Sequence, residues 1–147
     1  MYGWLLLLHI LGASVWTGGH LVLSLVILPG VLRERSAAKL LAFESGFEKI
    51  GMPALVVQVV TGLLLAWRQL PQLTAWFDPA NPLAHAILAK LGLLLATFLL
   101  ALDAKLRVLP HFDDSRLTDM AWHIVPVTVL SVLFVAAGVS FRTGWLY

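Results

Sequence analysis

The sequence predicts an all-α integral membrane protein, a single domain over residues 1–147 built as an up-down-up-down bundle of four spanning helices. Three observations lead there. The chain is 60% hydrophobic and only 12% charged, against about 45–50% apolar and 25% charged in a soluble domain. No charged residue occurs between Tyr2 and Leu32, between Ile50 and Trp67, or between Met120 and Phe141, and the run from Leu83 to Leu102 holds one, Lys90. Each run reaches the roughly 18–25 residues that cross a hydrocarbon core about 30 Å thick.

The helices fall near 3–32, 47–68, 83–107 and 119–142. The first is too long for a removable signal peptide and has no basic residue ahead of it, so it reads as a spanning helix. Within it, Pro29 and Gly30 mark an end or a kink. The segment "RERSAAKLLAFESGFEKIG", with Leu40, Leu41, Phe43 and Phe47 among charges, reads as a short amphipathic lead into the second helix. The connector "QLPQLTAWFDPANP" carries Pro71, Pro79 and Pro82 and should be irregular or interfacial. His111, beside Pro110 and followed by Phe112, Asp113 and Asp114, belongs to the last connector.

Charge orients the bundle. Arg33, Arg35, Lys39, Lys49, Lys105, Arg107 and Arg116 flank two connectors, whereas Arg68 and Arg142 alone flank the opposite side. The positive-inside rule then places the basic connectors in the cytoplasm and both termini on the periplasmic side of a bacterial inner membrane. Trp4, Trp67, Trp76, Trp145, Tyr2 and Tyr147 fall on the outer side as an aromatic belt. The net charge of +2 is thus explained by topology and implies no nucleic acid; the partner it implies is the lipid bilayer. Cysteine is absent, which excludes disulfides and thiolate metal sites.

Ionisable residues inside spanning helices are expensive and mark functional sites by default. Here they are His9 and His20 on the first helix, His85 and Lys90 on the third, and His123 on the fourth, with the milder Gln58 on the second. His9 and His20 share one helical face about 16 Å apart along the axis. Trp16 lies on that face and Gly12 and Gly19 at its edges. Two imidazoles, small residues and a stacking aromatic suit a helix that carries haem, held by axial histidine.

The runs "LHILGASVWTGGHLVLSLVILPGVLRER", "FEKIGMPALVVQVVTGLLLAW" and "ILAKLGLLLATFLLALDAKLR" resemble the membrane domain of copper-resistance protein D (CopD)-like proteins over nearly the whole chain. The same residues, through His9, Gly12, Trp16, Glu48-Lys49 and Lys90, resemble the HemJ-type membrane protoporphyrinogen oxidases, which are reported to bind haem b. That second resemblance implies functional roles for His9 and Lys90. It is broken at Glu48-Lys49-Ile50, where Glu-Lys-Arg is expected, and at Trp122-His123 ahead of Pro126, where Asn-Glu is expected.

Three functions follow. The leading expectation is a cytochrome b-like protein with one or two haems b in transmembrane electron transfer or redox chemistry. Its ligands are His9 paired with His85 and His20 paired with His123, Trp16, Gly12 and Gly19 line the cofactor, and Lys90 meets a propionate. Its redox partner, protein or quinone, is open, as is a homodimer with haem at the interface. The CopD resemblance implies instead copper binding or import along the histidines. Imidazole suits copper, although Met1, Met52 and Met120 form no Met-x-x-Met track. The HemJ resemblance implies an oxidoreductase acting on porphyrinogen, with no catalytic residue assigned.

Overall fold

A computed structural model describes residues 1–144, apart from the Arg142 side chain. Trp145 and Tyr147 of the expected aromatic belt lie outside the described residues, as does the Arg142 side chain. Four stretches are long and apolar enough to cross a membrane: Tyr2–Glu34, Ala37–Gln69, Pro82–His111 and Leu117–Phe141. They contain α1 (Tyr2–Val22), α2 (Leu28–Glu34), α3 (Ala37–Gln69), α4 (Pro82–Asp103) and α5 (Leu117–Thr143). Large apolar side chains such as Leu25, Val56 and Phe98 point outward, as lipid-facing residues should.

The first span does not stop at Pro29. A proline lacks the N–H that would bond its carbonyl four residues back, and its ring crowds that carbonyl. For Pro29 the carbonyl is that of Leu25, and a π-helical segment over Leu23–Ile27 widens the turn there. The third span repeats the device, with Leu106 facing Pro110 inside the π segment Ala104–Val108. The first helix thereby runs on past its proline, whereas the third span ends at His111, one residue after Pro110. The first ends only at Arg35, whose φ of 50° is left-handed.

The amphipathic lead is no separate element. It is the first part of α3, which begins at Ala37 rather than near 47. Ser36 caps it, and Asp114 of the last connector accepts a hydrogen bond from the Ala37 amide at 2.7 Å. Leu40 is fully buried there with Leu23, Val31, Val108, Leu117 and Met120. This cluster knots the basic-connector end of all four spans together.

At the other end Asn81 caps α4, its side chain accepting from the Leu83 amide. Trp76 departs from the expected belt. It sits in a 3₁₀ turn over Leu73–Phe77, is buried, and donates its indole N–H to the Leu70 carbonyl at 2.8 Å. Trp4 and Trp67 are exposed as a belt requires.

Three helix pairs approach closely. α1 packs along α3, α1 on α5, and α4 on α5, whereas the backbones of the consecutive helices α3 and α4 stay farther apart. The α1–α3 seam is the closest. A Cβ on Gly12 would meet the Ala54 carbonyl oxygen at 2.8 Å, and one on Gly19 would run into the Phe47 ring. The α1–α5 seam is polar: Thr17 donates to the Ser131 carbonyl at 3.3 Å, Thr128 to the His20 carbonyl at 3.2 Å, and Ser24 lies 2.5 Å from the Thr128 hydroxyl. Such bonds join helices that gain nothing hydrophobic by leaving lipid.

Two substitutions test this packing by thermal unfolding in detergent. Gly19→Ala, which in an open helix would stabilise, should cost about 1–3 kcal/mol by overpacking, and Phe47→Leu in the same chain should recover most of it. Asp114→Ala, which removes the acceptor at the start of α3, should cost about 1 kcal/mol.

Candidate functional site

The inward side chains of α1 meet α3 at two levels. At the outer of the two, the His9 ring lies against Gly62, where a Cβ would stand 2.9 Å from His9 Cε1. His9 Nδ1 is 2.9 Å from the Gln58 carbonyl oxygen and 3.2 Å from Thr61 Oγ1, and the Thr61 hydroxyl donates onward to the Val57 carbonyl at 2.6 Å. A carbonyl only accepts, so Nδ1 carries the proton and Nε2 presents a lone pair. This is the tautomer-fixing support that metal-binding histidines commonly have.

At the second level His20 is 8% exposed. Its Nδ1–H donates to the Trp16 carbonyl one turn back at 2.9 Å, which again leaves Nε2 as the acceptor. Trp16 tilts against the His20 ring at 4.4 Å between centroids, and Phe47 closes the other side edge-on at 5.6 Å. Phe47 fits because Gly19 and Gly51 both yield to it; a Cβ on Gly51 would be 2.9 Å from its ring.

The other sequence-predicted residues are placed differently. His85 is exposed near the start of α4. His123 has both nitrogens engaged, Nδ1 with the Asp119 carbonyl at 2.8 Å and Nε2 with Asp103 Oδ2 at 2.9 Å. Asp103 also pairs with Arg107, so His123 is tied into a hydrogen-bonded network joining α4 and α5 and has no nitrogen to offer a metal opposite His20. Lys90 Nζ lies 5.0 Å from the Phe141 ring centroid, over its face, and a Cβ on Gly138 would be 3.5 Å from it. Extending the Thr17–Ser131 and His20–Thr128 register along α1 and α5 sets His9 opposite Val139, so His9 and Lys90 share a level. Among the described residues no three His, Asp or Glu converge as a metal cage.

This geometry does not fit the expected haem. Gly12 and Gly19, read as the edges of a macrocycle slot, are where α3 and Phe47 press on α1. A flat ring has no room on that face.

A family model described as copper resistance protein D matches residues 41–141. The chain belongs to that family. Comparisons with curated proteins and with solved structures return no match. The CopD match runs from α3 into α5, so His9 and His20 lie ahead of it and Lys90 and His123 within it. It favours the copper resemblance, and this CopD-family chain is a multi-pass membrane protein by both the match and its four spans. Haem b has no support from either.

Sequence reasoning missed the residues of α3 that complete the site: Phe47, Gly51, Thr61 and Gly62. A signal for them exists, since Phe47, Gly51, Ala54, Gln58, Thr61 and Gly62 recur at helical spacing. They form a small and polar stripe complementary to the one on α1.

Gly62→Ala should push the His9 ring off the Gln58 carbonyl. The slowly exchanging Nδ1 proton of His9, read by NMR in detergent, should then be lost or strongly shifted. Gly92→Ala, where nothing lies within 4 Å of the new Cβ, should leave it unchanged.

Proposed function

We propose that this protein handles copper ions as cargo inside the membrane, holding them transiently at His9 Nε2 and, deeper along the same helix face, at His20 Nε2. The observation that carries this reading is the His9 ring, whose Nδ1–H is anchored on the Gln58 carbonyl and whose edge is seated on Gly62, leaving one lone pair for a metal. Neutral imidazole is a suitable donor for copper. Membership of the copper resistance protein D family supports copper as the metal.

The stations are sparse by design. Neither belongs to a three-donor cage among the described residues, and a cargo that must leave again is better served by few ligands than by a closed coordination sphere. The two nitrogens lie on one face about 16 Å apart, a spacing for sequential occupation. A role in electron transfer or porphyrinogen oxidation draws on no comparable observation, because the α1 face that would hold the macrocycle is filled.

Metal-free protein in detergent, titrated with copper against a competing chelator, tests the proposal. Wild type should bind copper, and His9→Ala should bind it at least about tenfold more weakly, the scale on which even outer-shell losses act. His123→Ala should bind as wild type does, since both its nitrogens are already engaged. Equal affinity of wild type and His9→Ala, or a Soret band in place of copper, would refute it.

A further inference from the structure

The bond between His123 and Asp103 requires a proton. His123 Nδ1 meets the Asp119 carbonyl at 2.8 Å, and Nε2 meets Asp103 Oδ2 at 2.9 Å. A carbonyl accepts and cannot donate, so Nδ1 carries a hydrogen. A carboxylate likewise only accepts, and the other oxygen of Asp103 faces Arg107 Nε at 3.1 Å. Nε2 must then carry a hydrogen as well. A ring that donates from both nitrogens is the imidazolium, which sets His123 apart from His9 and His20, whose Nε2 atoms keep their lone pairs.

The place of this bond in the fold gives it leverage. Asp103 is the last residue of α4, directly ahead of the π segment Ala104–Val108, and such widened turns recur at functional sites. The segment is held to α5 by polar ties. Arg116 Nη1, at the start of α5, donates to the Arg107 carbonyl at 2.9 Å, and its Nε lies 3.4 Å from Asp119. The Asp103 side chain is 40% exposed, so water at the connector end can deliver and remove the proton.

The other titratable groups around His123 are accounted for by element. On the third span, Lys105 is exposed and Lys90 is about 20 Å away along the axis. Of α1 and the π segment Leu23–Ile27, both packed on α5, only Tyr2, His9 and His20 can titrate, and His20 meets α5 at Thr128. Arg33 and Glu34 of α2 are exposed, and Glu34 is paired with Lys39.

We propose that His123 and Asp103 form a proton-operated latch between α4 and α5. With the proton in place, a charge-assisted hydrogen bond draws the two helices together. Once it leaves, a lone pair on Nε2 faces a carboxylate oxygen, two acceptors repel, and the π segment is released from α5. The latch is closed on the acid side and open on the alkaline side, so the stability it contributes is present at low pH and lost as pH rises. It needs no metal.

Metal-free full-length protein in phosphatidylcholine nanodiscs, followed from about pH 5 to about pH 9 across the imidazole range, tests the latch. Nitrogen-15 NMR of the histidine rings should show His123 with both nitrogens protonated at the acid end and Nε2 losing its proton as pH rises. Over the same step the wild-type Tm should fall by about 3 °C relative to Asp103→Asn. Amide protection over residues 104–108, corrected for intrinsic exchange, should fall about fivefold. Asp103→Asn should remove both steps, because a carboxamide can accept from a protonated Nε2 or donate to a bare one. A single ring proton on His123 across the whole range, steps of equal size in wild type and Asp103→Asn, or titration of His123 with no change in Tm and protection overturns the latch.

Discussion

The close approach of α1 to α3 is the constraint on which the rest depends. In lipid there is no hydrophobic gain in bringing two apolar helices together, so association rests on van der Waals contact and hydrogen bonds. Gly12, Gly19 and Gly62 remove the side chains that would hold the helices apart, and Gly51 leaves room for Phe47 on its own helix. That approach brings the Gln58 carbonyl to 2.9 Å from His9 Nδ1. It also presses Phe47 onto His20 and Trp16. The same glycines that let the helices meet therefore orient both imidazoles, and the chemistry of the site follows from the packing.

The two ends of the bundle are built for different work. At the basic-connector end, a π segment ahead of Pro29 lets the first span run on to Glu34, and another lies ahead of Pro110, where the third span ends at His111. Leu23, Val31, Leu40, Val108 and Met120 interlock there, and the Asp114–Ala37 and His123–Asp103 hydrogen bonds add polar ties between elements. Toward the other end buried apolar residues such as Leu65, Ala84 and Ile87 share the interior with His9, Gln58 and Thr61.

Much of this was legible in the chain. Four charge-free runs announced four spans because the bilayer demands a fixed length of apolar helix. The in-phase spacing of His9, Trp16 and His20 correctly put them on one inward face. The reading failed where a residue's meaning depends on what lies across from it. Gly12 and Gly19 are small for a cofactor or small for a neighbouring helix, and only Phe47 and Ala54 decide between the two. Trp76 carries the composition of a belt residue, yet a 3₁₀ turn folds it inward onto the Leu70 carbonyl. His123 has the look of a ligand until Asp103, twenty residues earlier in the chain, takes its second nitrogen.

The sequence by itself determined the class of solvent, the number of spans and the inward face of α1, because these follow from local composition and the 3.6-residue period. Tertiary structure alone decided which helices approach closely, which histidines keep a free nitrogen and which have both nitrogens engaged. It also left Lys90 without a carboxylate beside it. Those properties are distances between residues far apart in sequence, set by where helices of different surface relief can approach, and no local pattern encodes them.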